Sequence, residues 1–209
     1  TSEVQGLMIH WFFLWDAFDK DHKAMNLIDL APLCLPIYDF TTAKKPIRGV
    51  ADLKGLTLMS TKVLETKLYS DLGAIVVPIT LVEGYDALAK GVADGAAWTQ
   101  VGPWLFGWID AYKPGYFIDS GGVGTSFGSS ANFLMNRQKY DSIPPDLRGI
   151  MEEILFYWGG LYQAAQDEAQ YPVYRKRGEA RGIQYISWSA EEKAKLQKAK
   201  DKIVDIWLE

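Results

Sequence analysis

Positive charge in excess is the first thing this chain lacks. It carries 22 Lys plus Arg against 26 Asp plus Glu in 209 residues, a net charge of -4. That excludes nucleic acid as the main partner, because phosphate binding wants a basic face. Cysteine is almost absent as well: Cys34 is the only one, so no intrachain disulfide can form, and its place in an apolar run reads as a buried hydrophobe. The two histidines, His10 and His22, stand twelve residues apart with no cysteine pair beside them, which is no zinc pattern. Long apolar runs are missing too. The longest, Gly6 to Trp15, contains His10 and is too short to span a bilayer, and with Glu3 ahead of it and no basic leader it is not a signal peptide. A Gly-x-Ser-x-Gly elbow is also lacking, and no serine and histidine can be paired near the crevice described below.

What is present is an ordinary globular composition, 48% apolar and 23% charged, on a chain long enough for one large or two small domains. Its most informative stretch runs from Ala51 to Gln100. A strand Leu56–Met59 leads into Ser60-Thr61 and a helix with Val63, Leu64, Leu68 and Leu72 on one face, and Gly73 fits a left-handed stop. A second strand, Ile75–Val77, precedes a capping box of Thr80 and Glu83 and a helix carrying Tyr85, Leu88 and Ala89 that ends at Gly91. A third, Gly95–Trp98, leads into Thr99-Gln100 and a helix with Pro103 in its first turn, continuing from Trp104 to Tyr112. Short apolar strands alternating with helices predict an α/β fold with a mostly parallel sheet. Ligands of such sheets bind beyond the carboxyl ends of the strands, where helix N-terminal amides converge. Met59-Ser60-Thr61, Ile79-Thr80-Leu81 and Trp98-Thr99-Gln100 would then line one crevice, although the same residues also serve as plain caps and turns. None of the 26 acids stands at a strand end in that row, so the pattern favours binding over catalysis.

Around this block the chain is less regular. Val4 to Met25 reads as a helix with a broad aromatic face formed by Trp11, Phe12, Phe13, Trp15 and Phe18, which something must cover. Pro32 and Pro36 confine Leu30–Phe40 to an edge strand or crossing linker, and the polar stretch Thr41–Arg48 reads as a turn and domain or hinge boundary. Strands are predicted at Tyr116–Asp119, Ala131–Asn136 and Gln184–Ile186. The small-residue loop Ser120–Ser130 has no lysine or helix start after it, so it is not a P-loop; its backbone can approach a ligand or a hinge. A long helix opens at Pro144-Pro145, and Pro172 should kink or end it. Ser189 and Glu192 form a capping box for a terminal helix whose Leu196, Ile203 and Trp207 face inward.

Several motifs in order carry a resemblance: Asp52-Leu53-Lys54-Gly55-Leu56, Leu72-Gly73-Ala74 with Val77-Pro78, Glu83-Gly84-Tyr85-Asp86-Ala87-Leu88, Gly91-Val92-Ala93-Asp94-Gly95, and Tyr140–Leu147. Together, over about residues 45 to 208, they resemble periplasmic solute-binding proteins of TRAP transporters, of the DctP type. The resemblance implies a periplasmic-binding-protein-like fold of type II, a Venus flytrap with mostly parallel sheets and a long domain-spanning helix, present here in part. It implies residues 1–44 as a remnant of the first lobe and a crossing segment, 45–135 as the second lobe, and 136–209 as the long helix, last strand and terminal helix packing on both lobes. Much of the first lobe would precede Thr1, so that the chain is a fragment or a shortened protein. Such a protein captures a small organic acid in an interlobe cleft in the periplasm and delivers it to the membrane permease.

In relatives an arginine usually stands where this chain has Met59, and metal-binding relatives carry a glutamate where it has Ala97, so no metal or cofactor is expected. The expected ligand site is Met59, Ser60, Thr61, Leu81, Trp98, Thr99, Gln100, Phe127 and Ser129, suited to a weakly polar or aromatic-bearing acid with Trp98 stacked on its apolar part. The alternative is that the fold is retained as a structural or interaction subunit docking through the Trp11–Phe18 face, and the terminal helix could equally serve a homodimer. An enzyme is not expected.

Overall fold

The computed structural model describes residues 16–34, 38–121, 123–125, 130–155 and 163–208. The expected aromatic face at 11–15, Phe127, Ser129 and the middle of the long helix lie outside them, as does the side chain of Cys34. By its contacts the chain divides into two units, one made of residues 1–36 and 129–170 and the other of 37–128 and 171–209.

In the first unit, α1 (Asp16–Ala24) leads into β1 (Leu27–Cys34), which pairs antiparallel with β7 (Ser130–Asn136) in a ladder running from Leu27 opposite Asn136 to Cys34 opposite Ser130. The register slips between Asp29 and Ala31, a bulge. Asn136 caps α5 (Arg137–Asp141) by accepting the Lys139 N–H, and α6 (Pro145–Leu155) follows.

The second unit is a six-stranded sheet in the order β4 (Ile75–Val77), β3 (Thr57–Met59), β5 (Gly95–Thr99), β2 (Tyr38–Thr42), β6 (Tyr116–Asp119), β8 (Gln184–Ser187). β4, β3 and β5 run parallel, as do β6 and β8. β2 lies antiparallel between the two groups. The predicted strands are present and the sheet is mostly parallel, but the Leu30–Phe40 segment is not one edge strand. Phe40 belongs to β2, the buried centre of the sheet, because the prolines precede β2 and every residue from Tyr38 to Thr42 keeps an N–H for a neighbour. Thr41 and Thr42 are therefore strand residues rather than turn.

Side chains alternate between two cores, as the pleat requires. Leu58, Phe40 and Ile118 pack with Leu68 and Tyr69 of α2 (Val63–Asp71) and with Leu196 and Ile203 of α8 (Ala190–Leu208). Their neighbours Met59, Ala96 and Phe117 pack on the other face with Ala87 and Leu88 of α3 (Gly84–Ala89), Trp108 and Tyr112. Each fully buried Leu or Ile contributes about 1.5–3 kcal/mol, so these two layers hold the sheet between helices.

Several local expectations change. Val63 is 82% exposed and Trp207 67% exposed, since each points off the face that Leu68 and Ile203 bury. The single helix expected to Tyr112 is broken: α4 (Gly102–Leu105) stops, Gly107 turns left-handed at φ 70, and a 3-10 turn at Trp108–Asp110 follows. That break swings Trp108 into the core. Pro172 does not end α7 (Gln163–Ala180), which continues past it with Arg175 stacked 4.7 Å above the Tyr185 ring and Tyr174 5.5 Å from Trp104. The stop comes at Gly182, at φ 84.

Two glycines test this arrangement. A Cβ on Gly95 would overlap the Thr41 carbonyl oxygen of the adjacent strand, whereas one on Gly91 would meet nothing but a left-handed backbone at φ 69. Urea denaturation should show Gly95→Ala lowering stability by about 3 kcal/mol or more, against about 1–2 kcal/mol for Gly91→Ala. Equal losses would contradict the close β2–β5 packing.

Candidate functional site

The carboxyl ends of β3 and β5 and the amino end of β2 meet at one edge of the sheet, because β2 runs against its neighbours and sets Tyr38 opposite Thr99. Each chain exit there is fixed by a short-range bond. The Ser60 N–H donates to the Val77 carbonyl, and the Ser60 hydroxyl accepts the Lys62 N–H at 3.2 Å, so α2 begins only at Val63, two residues later than the Ser60-Thr61 pattern suggests. Beyond β4, Glu83 accepts from both the Thr80 N–H and hydroxyl, at 3.1 and 2.6 Å. This is half a capping box, with the glutamate doing the capping and Thr80 turned toward it. Beyond β5, the Thr99 hydroxyl accepts the Gly102 N–H at 3.0 Å and caps the next turn.

Aromatic rings form a continuous wall. Tyr38 and Trp98 have centroids 4.7 Å apart, Trp98 lies 6.2 Å from Phe106 and 6.3 Å from Trp108, and the Trp108 indole N–H donates to the Leu81 carbonyl at 3.2 Å. Gly102 lets the Trp98 indole lie directly on the backbone, since any Cβ would overlap it. Trp98 is partly exposed, and Phe106 more so. The Lys62 ammonium sits 4.1 Å from the Tyr38 centroid and 5.9 Å from that of Trp98, and pairs with Glu65 at 3.1 Å.

Behind the wall lies buried charge. Glu65 is 4% exposed and Asp39 5% exposed. Burial raises the Glu65 carboxyl above its ordinary value against the pull of Lys62, and burial raises Asp39 from 3.8 to about 7, with Asp119 adding to the rise and Ser120 opposing it. Burial also lifts the Tyr38 phenol to about 12, helped by Glu65. The Ser120 N–H reaches Asp39 Oδ2 at 3.4 Å, and Gln100 Nε2 donates to the Ile118 carbonyl at 2.8 Å, so both side chains converge on the end of β6. Among the described residues, Asp39 Oδ1 and Gln100 Oε1 have no hydrogen-bond partner.

The residues singled out from sequence fall into three groups. Ser60, Thr61, Leu81 and Trp98 are at least partly exposed along this edge. Met59, Thr99 and Gln100 are buried: Met59 packs with Ala87 and Trp108, Thr99 caps, and Gln100 ties β5 to β6. Phe127 and Ser129 lie outside the described residues. The sequence reading passes over Tyr38, Asp39, Lys62 and Glu65. An aspartate inside the apolar run Ile37-Tyr38-Asp39-Phe40 is a legible signal of a buried polar role, while Lys62 and Glu65 look like ordinary helix-surface residues. Among the described residues no cluster of three or more His, Cys, Asp or Glu could hold a metal ion.

Against this frame, the chain matches DctP, the bacterial extracellular solute-binding protein family 7, over residues 13–209. The chain belongs to this family. Three solved structures similar to it show how far the family fold extends. An extracytoplasmic solute receptor of Bordetella pertussis, solved with pyroglutamic acid, is 19% identical with a TM-score of 0.81, over 92% of this chain and 62% of that one. A TRAP periplasmic solute-binding protein of Desulfovibrio salexigens, solved with orotic acid, gives 20% and 0.80, over 92% and 60%. One from Ralstonia eutropha, solved with (S)-2-acetolactate, gives 20% and 0.77, over 88% and 59%. The fold is thus that of type II periplasmic binding proteins, and the chain spans about three fifths of the length of these family structures.

The buried Asp39 carries a pH signature. Its folded-state pKa is raised, so its contribution to stability is fully present below the unfolded value of 3.8 and is lost as pH rises through about 7. Urea midpoints measured from pH 4 to 8 should show wild type losing stability relative to Asp39→Asn across that window. A constant difference between the two proteins would refute the raised pKa.

Proposed function

We propose that this chain binds a small organic acid at the carboxyl edge of its six-stranded sheet, as the periplasmic solute-binding component of a TRAP transporter, and passes the acid to the membrane permease. The observation that carries this reading is the wall of Tyr38, Trp98, Phe106 and Trp108 standing beside Ser60, Thr61 and the start of α2. The accessible faces of Trp98 and Phe106, backed by the buried Tyr38 and Trp108 rings, take the apolar body of a ligand, and hydroxyls with first-turn amides take its oxygens. The relatives solved with pyroglutamic acid, orotic acid and acetolactate support an acid as guest.

Within this proposal Ser60, Thr61, Leu81 and Trp98 meet the ligand, and Phe127 and Ser129 belong to the same set. Met59, Thr99 and Gln100 hold that surface from behind. Membership in a solute-binding family supports a protein that carries its ligand without transforming it. No helix among the described residues is long and apolar enough to cross a membrane.

A thermal-shift screen of organic acids tests the reading. A true ligand at a hundred times its Kd adds about 2.7 kcal/mol, which for a protein of this size raises Tm by about 5–10 °C. Native mass spectrometry of the same sample should show one acid bound per chain. Trp98→Ala should lose at least about tenfold in affinity, as expected for a stacking anchor. Failure of every acid to raise Tm, or an unchanged affinity in Trp98→Ala, would overturn the assignment.

A further inference from the structure

Lys62 stands where a lysine does α2 no service. It is the N-cap residue, with extended backbone at φ -98 and ψ 128 and no side-chain capping bond. A cation at a helix N-terminus opposes the macrodipole. Yet the side chain is held in place: its ammonium lies over the Tyr38 ring, reaches toward Trp98 and pairs with Glu65, while 41% of the side chain stays accessible. An ammonium has three N–H donors, and Glu65 Oε1 takes one of them. Lys200, another cation that acts on Glu65, donates to the Val123 and Gly124 carbonyls and is half-buried.

The geometry points to Lys62 as the residue that receives the ligand's carboxylate, sharing its ammonium between that carboxylate and Glu65 at the rim of the Tyr38–Trp98 wall. This rests on the organic-acid reading above and narrows it to a class. A guest lying flat on Trp98 brings its acid group within reach of an ammonium already fixed over the adjoining ring, so little side-chain entropy is lost on binding. The partner charge on Glu65 leaves one compensated cation, which suits a single carboxylate. A second carboxylate on the same ligand would be repelled by the Glu65 carboxylate beside Lys62. The ligand class is therefore a monocarboxylate with a flat or apolar body, and Lys62 is its specificity-determining residue.

Isothermal titration calorimetry with two acid and ester pairs, L-pyroglutamate with its methyl ester and orotate with its methyl ester, tests this on wild type, Lys62→Met and Lys62→Arg. In at least one pair, wild type should bind the acid at least tenfold tighter than the ester. Lys62→Met should lose about tenfold to a hundredfold for the acid and little for the ester, as removal of a charge-assisted hydrogen bond requires. Lys62→Arg should recover most of the acid affinity, which a purely structural role for the lysine would not produce. Equal binding of acid and ester by wild type, or undiminished acid binding by Lys62→Met, overturns the role of Lys62 while leaving the organic-acid reading intact. A wild type that binds neither of these flat monocarboxylates overturns the ligand class assigned to Lys62, while the organic-acid reading stands or falls on the wider thermal-shift screen.

Discussion

The second unit depends on one strand running the wrong way. β2 is the antiparallel member between two parallel groups, buried along its whole length, and it joins them through side chains as well as ladder bonds. The Thr41 hydroxyl reaches the Ala96 carbonyl at 3.3 Å and the Tyr112 hydroxyl at 2.8 Å, and the Thr42 hydroxyl donates to the Asp94 carbonyl at 2.9 Å. The Asp94 carboxylate in turn accepts the Thr57 N–H at the start of β3. Buried hydroxyls left unpaired would each cost about 1–3 kcal/mol, so this chain of bonds fixes β2 against β5 and, through Asp94, the start of β3. The same reversal carries Tyr38 and Asp39 to the edge where the other strands end, and so sets both behind the candidate site.

That geometry explains why the site is aromatic in front and charged behind. Gly102 and Gly84 leave the space a Cβ would fill to the indoles of Trp98 and Trp108. Asp39 and Glu65 are buried beside them with few partners, a costly arrangement that a protein tolerates mainly where function uses it. The aromatic wall gives shape, and Lys62, accessible while its partner Glu65 is buried, puts a cation at its rim.

Much of this was legible in the sequence, for reasons that can be stated. Strands β3, β4 and β5 announce themselves because short apolar runs are followed by small polar residues, Gly73 takes the left-handed stop expected of it, and Gly91, expected to end the next helix, is left-handed too. The motifs from Asp52 to Gly95 point to the family that the chain matches. The role of β2 was hidden, since prolines at 32 and 36 argue for an edge and only the three-dimensional pairing reveals a central strand that starts after them. Periodicity also cannot tell that Gly107 breaks the helix after Leu105 and turns Trp108 inward, nor that Trp207 points away from the core. Lys62 and Glu65 were missed because a Lys and a Glu three residues apart on a helix are usually a solvated pair. Here packing against Tyr38 buries one of them.

We propose the edge formed by β2, β3 and β5 as the place where this chain holds its ligand. A crystal structure with the most stabilising acid at saturating concentration tests it most directly. The acid's body should lie on the Trp98 indole, with its carboxylate about 3 Å from the Lys62 ammonium. An acid bound with neither residue in contact would contradict it.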